Sequence, residues 1–231
     1  MFTLKQSSYL KKVIISCFLF STSNTFAENT NIDVSGFARL VGGSVSDNIV
    51  QVNGYDNEWS FDKESLLAVQ ATGRFSDKLS ATGQLLYHAS DGRDSGIEWA
   101  YLTYHHSKKL NFKVGKLRTP FFQYSDVIDV GFSYPWVTPP KQVYNDYIFS
   151  TFEGANVSYN HVGEQFAYYF EGYWGQFDDD LYTSGFRSRT KVDDLRGLVL
   201  NVAKDNLNLR LSYHDGYVDI DNTAINDFIF N

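Results

Sequence analysis

SLLAVQATGRFSDKLSATGQLLYH, residues Ser65–His88, is two runs of strict alternation around the polar triplet Ser76-Asp77-Lys78. In the first run Leu67, Val69, Ala71, Gly73 and Phe75 share one face, and Gln70, Thr72 and Arg74 share the other. In the second, Leu79, Ala81, Gly83, Leu85 and Tyr87 oppose Ser80, Thr82, Gln84 and His88. Successive side chains of a strand point to opposite faces, so this period predicts two strands and a tight turn. The apolar faces are long and end on Phe or Tyr, whereas the opposite faces are wet. That combination suits a wall between lipid and water.

The same grammar extends in both directions. Upstream, Ile32, Val34, Gly36, Ala38 and Leu40 alternate with Asp33, Ser35, Phe37 and Arg39, and a Gly/Asn/Asp-rich loop follows from Gly42 to Glu64. Downstream, a polar loop (Asp91–Gly96) leads to a fourth strand, Ile97–His105, with Ala100, Leu102 and Tyr104 against Trp99, Tyr101, Thr103 and His105. After the turn Ser107-Lys108-Lys109, a fifth strand sets Leu110, Phe112 and Val114 against Asn111 and Lys113. A sixth strand covers Glu153–Asn160, and the turn His161–Glu164 leads to a seventh carrying Phe166, Tyr168, Phe170, Gly172 and Trp174 on one face. Phe177–Lys191, with Asp178-Asp179-Asp180, reads as a long polar loop. The eighth strand carries Leu198, Leu200 and Val202, with Leu195 and Val199 out of phase. After the turn Lys204-Asp205-Asn206, the ninth sets Leu207, Leu209, Leu211 and Tyr213 against Asn208, Arg210, Ser212 and His214. Asp215 begins another loop, and Asp227–Phe230 reads as the start of a tenth strand.

Tight turns therefore follow the even strands and long loops the odd ones. That sorting is the asymmetry of an outer-membrane barrel, and a soluble β-sandwich has no reason to adopt it. The expected fold class is all-β, an antiparallel transmembrane β-barrel. No run of about 18 apolar residues is present, so a helical span is excluded, whereas tilted strands need only one apolar face.

One segment breaks the grammar. Val114–Phe152 holds all four prolines of the chain and nine aromatic residues from Phe121 to Phe149. Proline suits loops because it fixes φ and cannot donate to a ladder. A loop this long inside a compact β protein is commonly functional, and its aromatic content argues against disorder. Residues 119–151 are expected to fold against or into the barrel.

The N-terminus reads as a secretory signal. Lys5, Lys11 and Lys12 precede the short apolar core Val13–Phe20, and Thr25-Phe26-Ala27 offers a cleavage site after Ala27. Processing at Cys17, lipoprotein fashion, is the alternative, with an apolar core of four residues. Domain boundaries are thus 1–27 for the signal and 28–231 for the barrel. Cys17 is the single cysteine and leaves with the signal, so disulfides, Cys-ligated zinc and thiol catalysis are excluded. The same cut removes three lysines and takes the formal charge from −7 to about −10, which argues against a nucleic-acid partner.

The order of strands and loops, with KLRTPFFQYSDVIDVGFSYPW (Lys116–Trp136) and IDVSGFARL (Ile32–Leu40), resembles the Gram-negative outer-membrane porin family. The resemblance implies a trimeric barrel of 16 or 18 strands in the outer membrane, beside lipopolysaccharide. It also implies passive diffusion of small solutes or ions through a pore narrowed by the third external loop. Nine to ten strands are fewer than such a barrel needs, so the expectation is an N-terminal portion of a larger one. A complete ten-strand barrel is the alternative.

Pores select by size and by charge at a constriction. The phasing turns Arg39, Arg74, Lys113 and Arg210 inward, with Arg118 at the loop base, while the loop brings Asp126, Asp129 and Asp146. Basic wall facing acidic loop would make a transverse field; the plainer reading is that any water-filled barrel carries charged lining. No cofactor and no metal site is expected. An outer-membrane barrel enzyme of protease or lipase type would need a catalytic constellation. His214-Asp215 and His105-His106 are adjacent pairs whose side chains point to opposite faces, and neither G-x-S-x-G nor H-E-x-x-H occurs. The expectation is therefore not an enzyme, with a barrel enzyme or a non-conducting structural or adhesive barrel as alternatives.

Overall fold

The computed structural model describes residues 31–46, 54–90, 94–131, 133–136, 139–144, 149–183 and 186–221. The signal segment, Asp146 and the tenth-strand stretch lie outside the described residues. The chain is all-β: nine strands in one antiparallel sheet, each paired with its sequence neighbour from β1 to β9. They are β1 (Asn31–Arg39), β2 (Leu66–Ser76), β3 (Leu79–His88), β4 (Gly96–His105) and β5 (Leu110–Arg118), then β6 (Thr151–Val162), β7 (Ala167–Thr183), β8 (Phe186–Lys204) and β9 (Leu207–Ile220). Among the described residues, β1 and β9 are the edges of the sheet, and helix is confined to a 3-10 turn (Ser125–Val127) and α1 (Lys141–Tyr144).

The alternation sorts the two faces as the residues dictate. On β3, Ser80, Thr82, Gln84 and Leu86 are buried, while Leu85 and Tyr87 stand about 60% exposed. The apolar sets of β2, β4, β5, β7, β8 and β9 are likewise exposed, including Val69, Leu102, Val114, Trp174, Leu198 and Leu211. One face is thus an open apolar surface, and the other is a mixed, largely polar face covered by the β5–β6 loop. Half-buried polar groups on that face pair across strands, Thr72 with buried Thr82 at 3.0 Å and Trp99 Nε1 donating to Gln70 Oε1 at 3.1 Å among them. A buried apolar cluster (Leu117, Phe149, Phe152, Tyr173, Phe177, Val192, Leu195) sits where the loop returns to β6.

Two boundaries differ from the sequence reading. Phe177–Lys191 is no long loop: β7 and β8 run through it as a hairpin, with Asp178, Asp179 and Asp180 opposite Lys191, Thr190 and Arg189. Ion pairs across the ladder replace apolar burial there, Arg189 to Asp178 at 2.6 Å among them, so alternation of hydrophobicity disappears while pairing continues. β9 likewise continues past Asp215 to Ile220. The phase conflict on β8 has a local cause. The register with β9 shifts between Asp193 and Arg196, and Asp194 takes φ 51°, a bulge that brings Leu195 to the same buried face as Val192, while Val199 takes that face by plain alternation with Leu198 and Leu200.

Candidate functional site

The β5–β6 loop crosses the polar face. Its base is closed by the Thr119 N–H donating to Ser150 O at 2.9 Å. Between these ends the backbone turns repeatedly: Val127, Val130 and Ser133 each donate to the carbonyl three residues before, which keeps the segment compact without a ladder. Aromatic rings fill its interior. Tyr124 meets Trp136 edge-on at 5.6 Å, Phe122 meets Tyr144 at 5.5 Å, and Phe121 meets Phe149 at 5.2 Å. The prolines and aromatics singled out in the sequence are the material of this packing.

Three polar contacts fasten the loop to the sheet. Arg210 on β9 donates to the Pro120 carbonyl at 2.6 Å, and the Phe121 ring stands edge-on to His214 of the same strand at 5.1 Å. Arg39 at the end of β1 reaches the Tyr134 hydroxyl at 3.4 Å while donating to Glu64 O at 3.0 Å. In the middle, Arg118 donates to Glu98 at 2.7 Å and to Asp129 at 2.8 Å, and its guanidinium lies 5.3 Å from the centroid of the Trp99 ring. The Arg118 side chain is 6% exposed and its two partners 8% and 7%, so this is a buried ion triad. Two carboxylates around one guanidinium leave the triad formally negative.

The expected site residues therefore part into groups. Arg39, Arg118 and Arg210 hold the loop, and Asp129 is held. Asp126 is exposed and within electrostatic reach of Glu171. Lys113 stays on the polar face with its ammonium 5.0 Å from the Tyr101 ring centroid. Arg74 is not brought to the loop: it lies at the tight-turn end, exposed, 3.3 Å from Asp33. His214 and Asp215 face apart, the former paired with the Tyr173 hydroxyl at 2.7 Å and the latter with Arg196 at 2.7 Å.

Two acids escaped the sequence reading. Glu171 is buried on the polar face, where it accepts from Asn156 and from the Tyr169 hydroxyl. Its signal was available, since it lies opposite the Phe170/Gly172/Trp174 set. Glu98 had no such signal, because the β3–β4 register shifts beside it, between Gln84 and Leu85.

No family model and no curated protein matches the chain. Solved structures of OmpT, an outer membrane protein of Vibrio cholerae, are similar to it. A loop L8 deletion mutant is 12% identical with TM-score 0.37, over 84% of this chain and 72% of that one. The in-vitro folded protein in a trimer form is 11% identical with TM-score 0.34, over 84% and 68% of the two chains. These overlaps are too loose to carry a functional reading.

Proposed function

We propose that the chain forms the wall of an outer-membrane porin, a water-filled channel for passive diffusion of small solutes or ions, narrowed by the β5–β6 loop. The observation that carries this reading is the loop fastened across the polar face, from β9 through β5 to β1, while the opposite face stays apolar and open. An exposed apolar sheet face of this extent is an association hazard in water and a requirement in lipid. Tight turns at one end, against the β1–β2 and β5–β6 loops and the tall β7–β8 hairpin at the other, support the same orientation. Among the described residues β1 and β9 are the edges of the sheet, and open ladder groups are costly in hydrocarbon, so both edges need strand partners in a membrane. Export through the N-terminal signal, a lipopolysaccharide-bearing bilayer and a homotrimer belong to the same reading.

In this channel Asp126 and Lys113 are the charges a solute would meet, with Glu171 buried behind them. Arg118, shared between Glu98 and Asp129, positions the loop. Planar-bilayer recording on the full-length protein tests the reading. Stepwise conductance that rises when residues 121–149 are deleted is expected. A protein that inserts into the bilayer without conducting would sink the porin in favour of a structural or adhesive barrel.

A further inference from the structure

At the tight-turn end, on the apolar face away from the loop, five side chains form one continuous row. The Lys109 ammonium donates to His161 Nδ1 at 3.0 Å. The His161 ring stacks on Tyr168, centroids 5.9 Å apart and planes 19° apart. Tyr168 stacks in turn on Phe166 at 6.1 Å and 18°. The Lys204 ammonium then sits 4.9 Å from the Phe166 ring centroid. The row runs across the ends of β6, β7 and β8 and has a lysine at each end. Exposed Tyr159 and Leu207 flank it.

The chemistry is unusual for a solvated rim. Among the described residues neither Lys109 nor Lys204 forms an ion pair, although Glu164 and Asp205 lie in the two adjoining turns. Their ammoniums are instead held by an imidazole nitrogen and a ring face, both of which fix a cation without cancelling its charge. Amphipathic rings settle at the headgroup level of a bilayer, and lysine stems lie along apolar surface with the charge at the interface. The other end of the sheet is net acidic, since Asp178, Asp179, Asp180, Asp193, Asp215 and Asp219 on its hairpins outnumber Arg189, Lys191 and Arg196, which pair with some of them.

We propose that this row binds anionic phospholipid headgroups in the periplasmic leaflet, each lysine meeting a phosphate at its own end of the row and the stacked rings between them seating the glycerol and upper acyl chains. The inference rests on the membrane-barrel reading above. Fixed cations at a bilayer surface attract anionic lipid, and the rings give the attraction a location.

The test is thermal unfolding of the full-length protein in vesicles of phosphatidylcholine alone and with three parts in ten of phosphatidylglycerol. Wild type is expected to unfold several degrees higher in the mixed vesicles. The Lys109→Gln/Lys204→Gln variant should lose at least half of that increment while keeping the wild-type midpoint in phosphatidylcholine. A Lys78→Gln/Lys108→Gln control removes equal charge at neighbouring turns and should retain the increment. Equal loss in the control, or an undiminished increment in the first variant, overturns the site while leaving the barrel standing. Failure to enter vesicles of either composition overturns the barrel and this inference together.

Discussion

Arg118 is the residue on which the loop's position turns. Removing it withdraws the guanidinium shared by two buried carboxylates, Glu98 and Asp129, and breaking a buried pair in this way costs about 3–5 kcal/mol. Arg118→Ala should therefore lower the unfolding midpoint and open the loop to protease, read by denaturant titration and limited proteolysis. Lys at this position cannot span two carboxylates and stack on Trp99, so Arg118→Lys should restore little. Tyr134 gives the pH dependence. Burial, against the opposing pull of Arg39, pushes its phenol above the ordinary value of 10.0. A raised value means that the neutral form is the one the fold favours. Its stabilisation is complete below pH 10 and lost as pH rises through the higher folded-state value. Protease sensitivity of the loop should increase over that alkaline range in wild type, and the Tyr134→Phe variant should lack this increment. For solute selectivity the relevant charges are unlatched ones: Lys113→Gln should shift the reversal potential toward cations and Asp126→Asn toward anions. Equal reversal potentials in all three proteins would remove both residues from the pore.

At the scale of elements, the sheet was legible wherever one face is apolar and one polar. All nine strands announce themselves, through residues such as Leu79/Ala81/Leu85 or Leu207/Leu209/Leu211, because water or lipid on one side and packing on the other impose period 2. The outer half of the β7–β8 hairpin was not legible, since cross-strand ion pairs there do the work that burial does below. Glu98 and Leu195 were hidden by bulges, which shift the phase without leaving a compositional mark. The loop was legible as a loop from its prolines, yet nothing in the sequence says that Arg118 points to Asp129 or Arg210 to a carbonyl. Close strand approach provides a further test. Gly154 and Gly175 are register partners on β6 and β7, and a Cβ on either would collide with the neighbouring backbone carbonyl. Gly154→Ala should cost about 1–3 kcal/mol as an overpacked site, measured by urea unfolding in detergent micelles or vesicles.

For the whole molecule, β7 and β8 set the height. At about 3.3 Å per residue, a strand of 17 residues exceeds the 9–11 needed to cross a bilayer by roughly 20 Å. The Asp178–Arg189 ladder should therefore stand outside the membrane, and surface labelling of a cysteine placed at Asp179 in intact cells checks it. The loop has the larger consequence. Starting from β5 it reaches β9 four strands away on one side, about 19 Å at ordinary strand spacing, and β1 four strands away on the other. It is the chord of an arc whose perimeter is fixed by the strand count. A chord of set length under an arc of set length determines the radius, so this one segment gauges the curvature of the wall as well as the width left open within it.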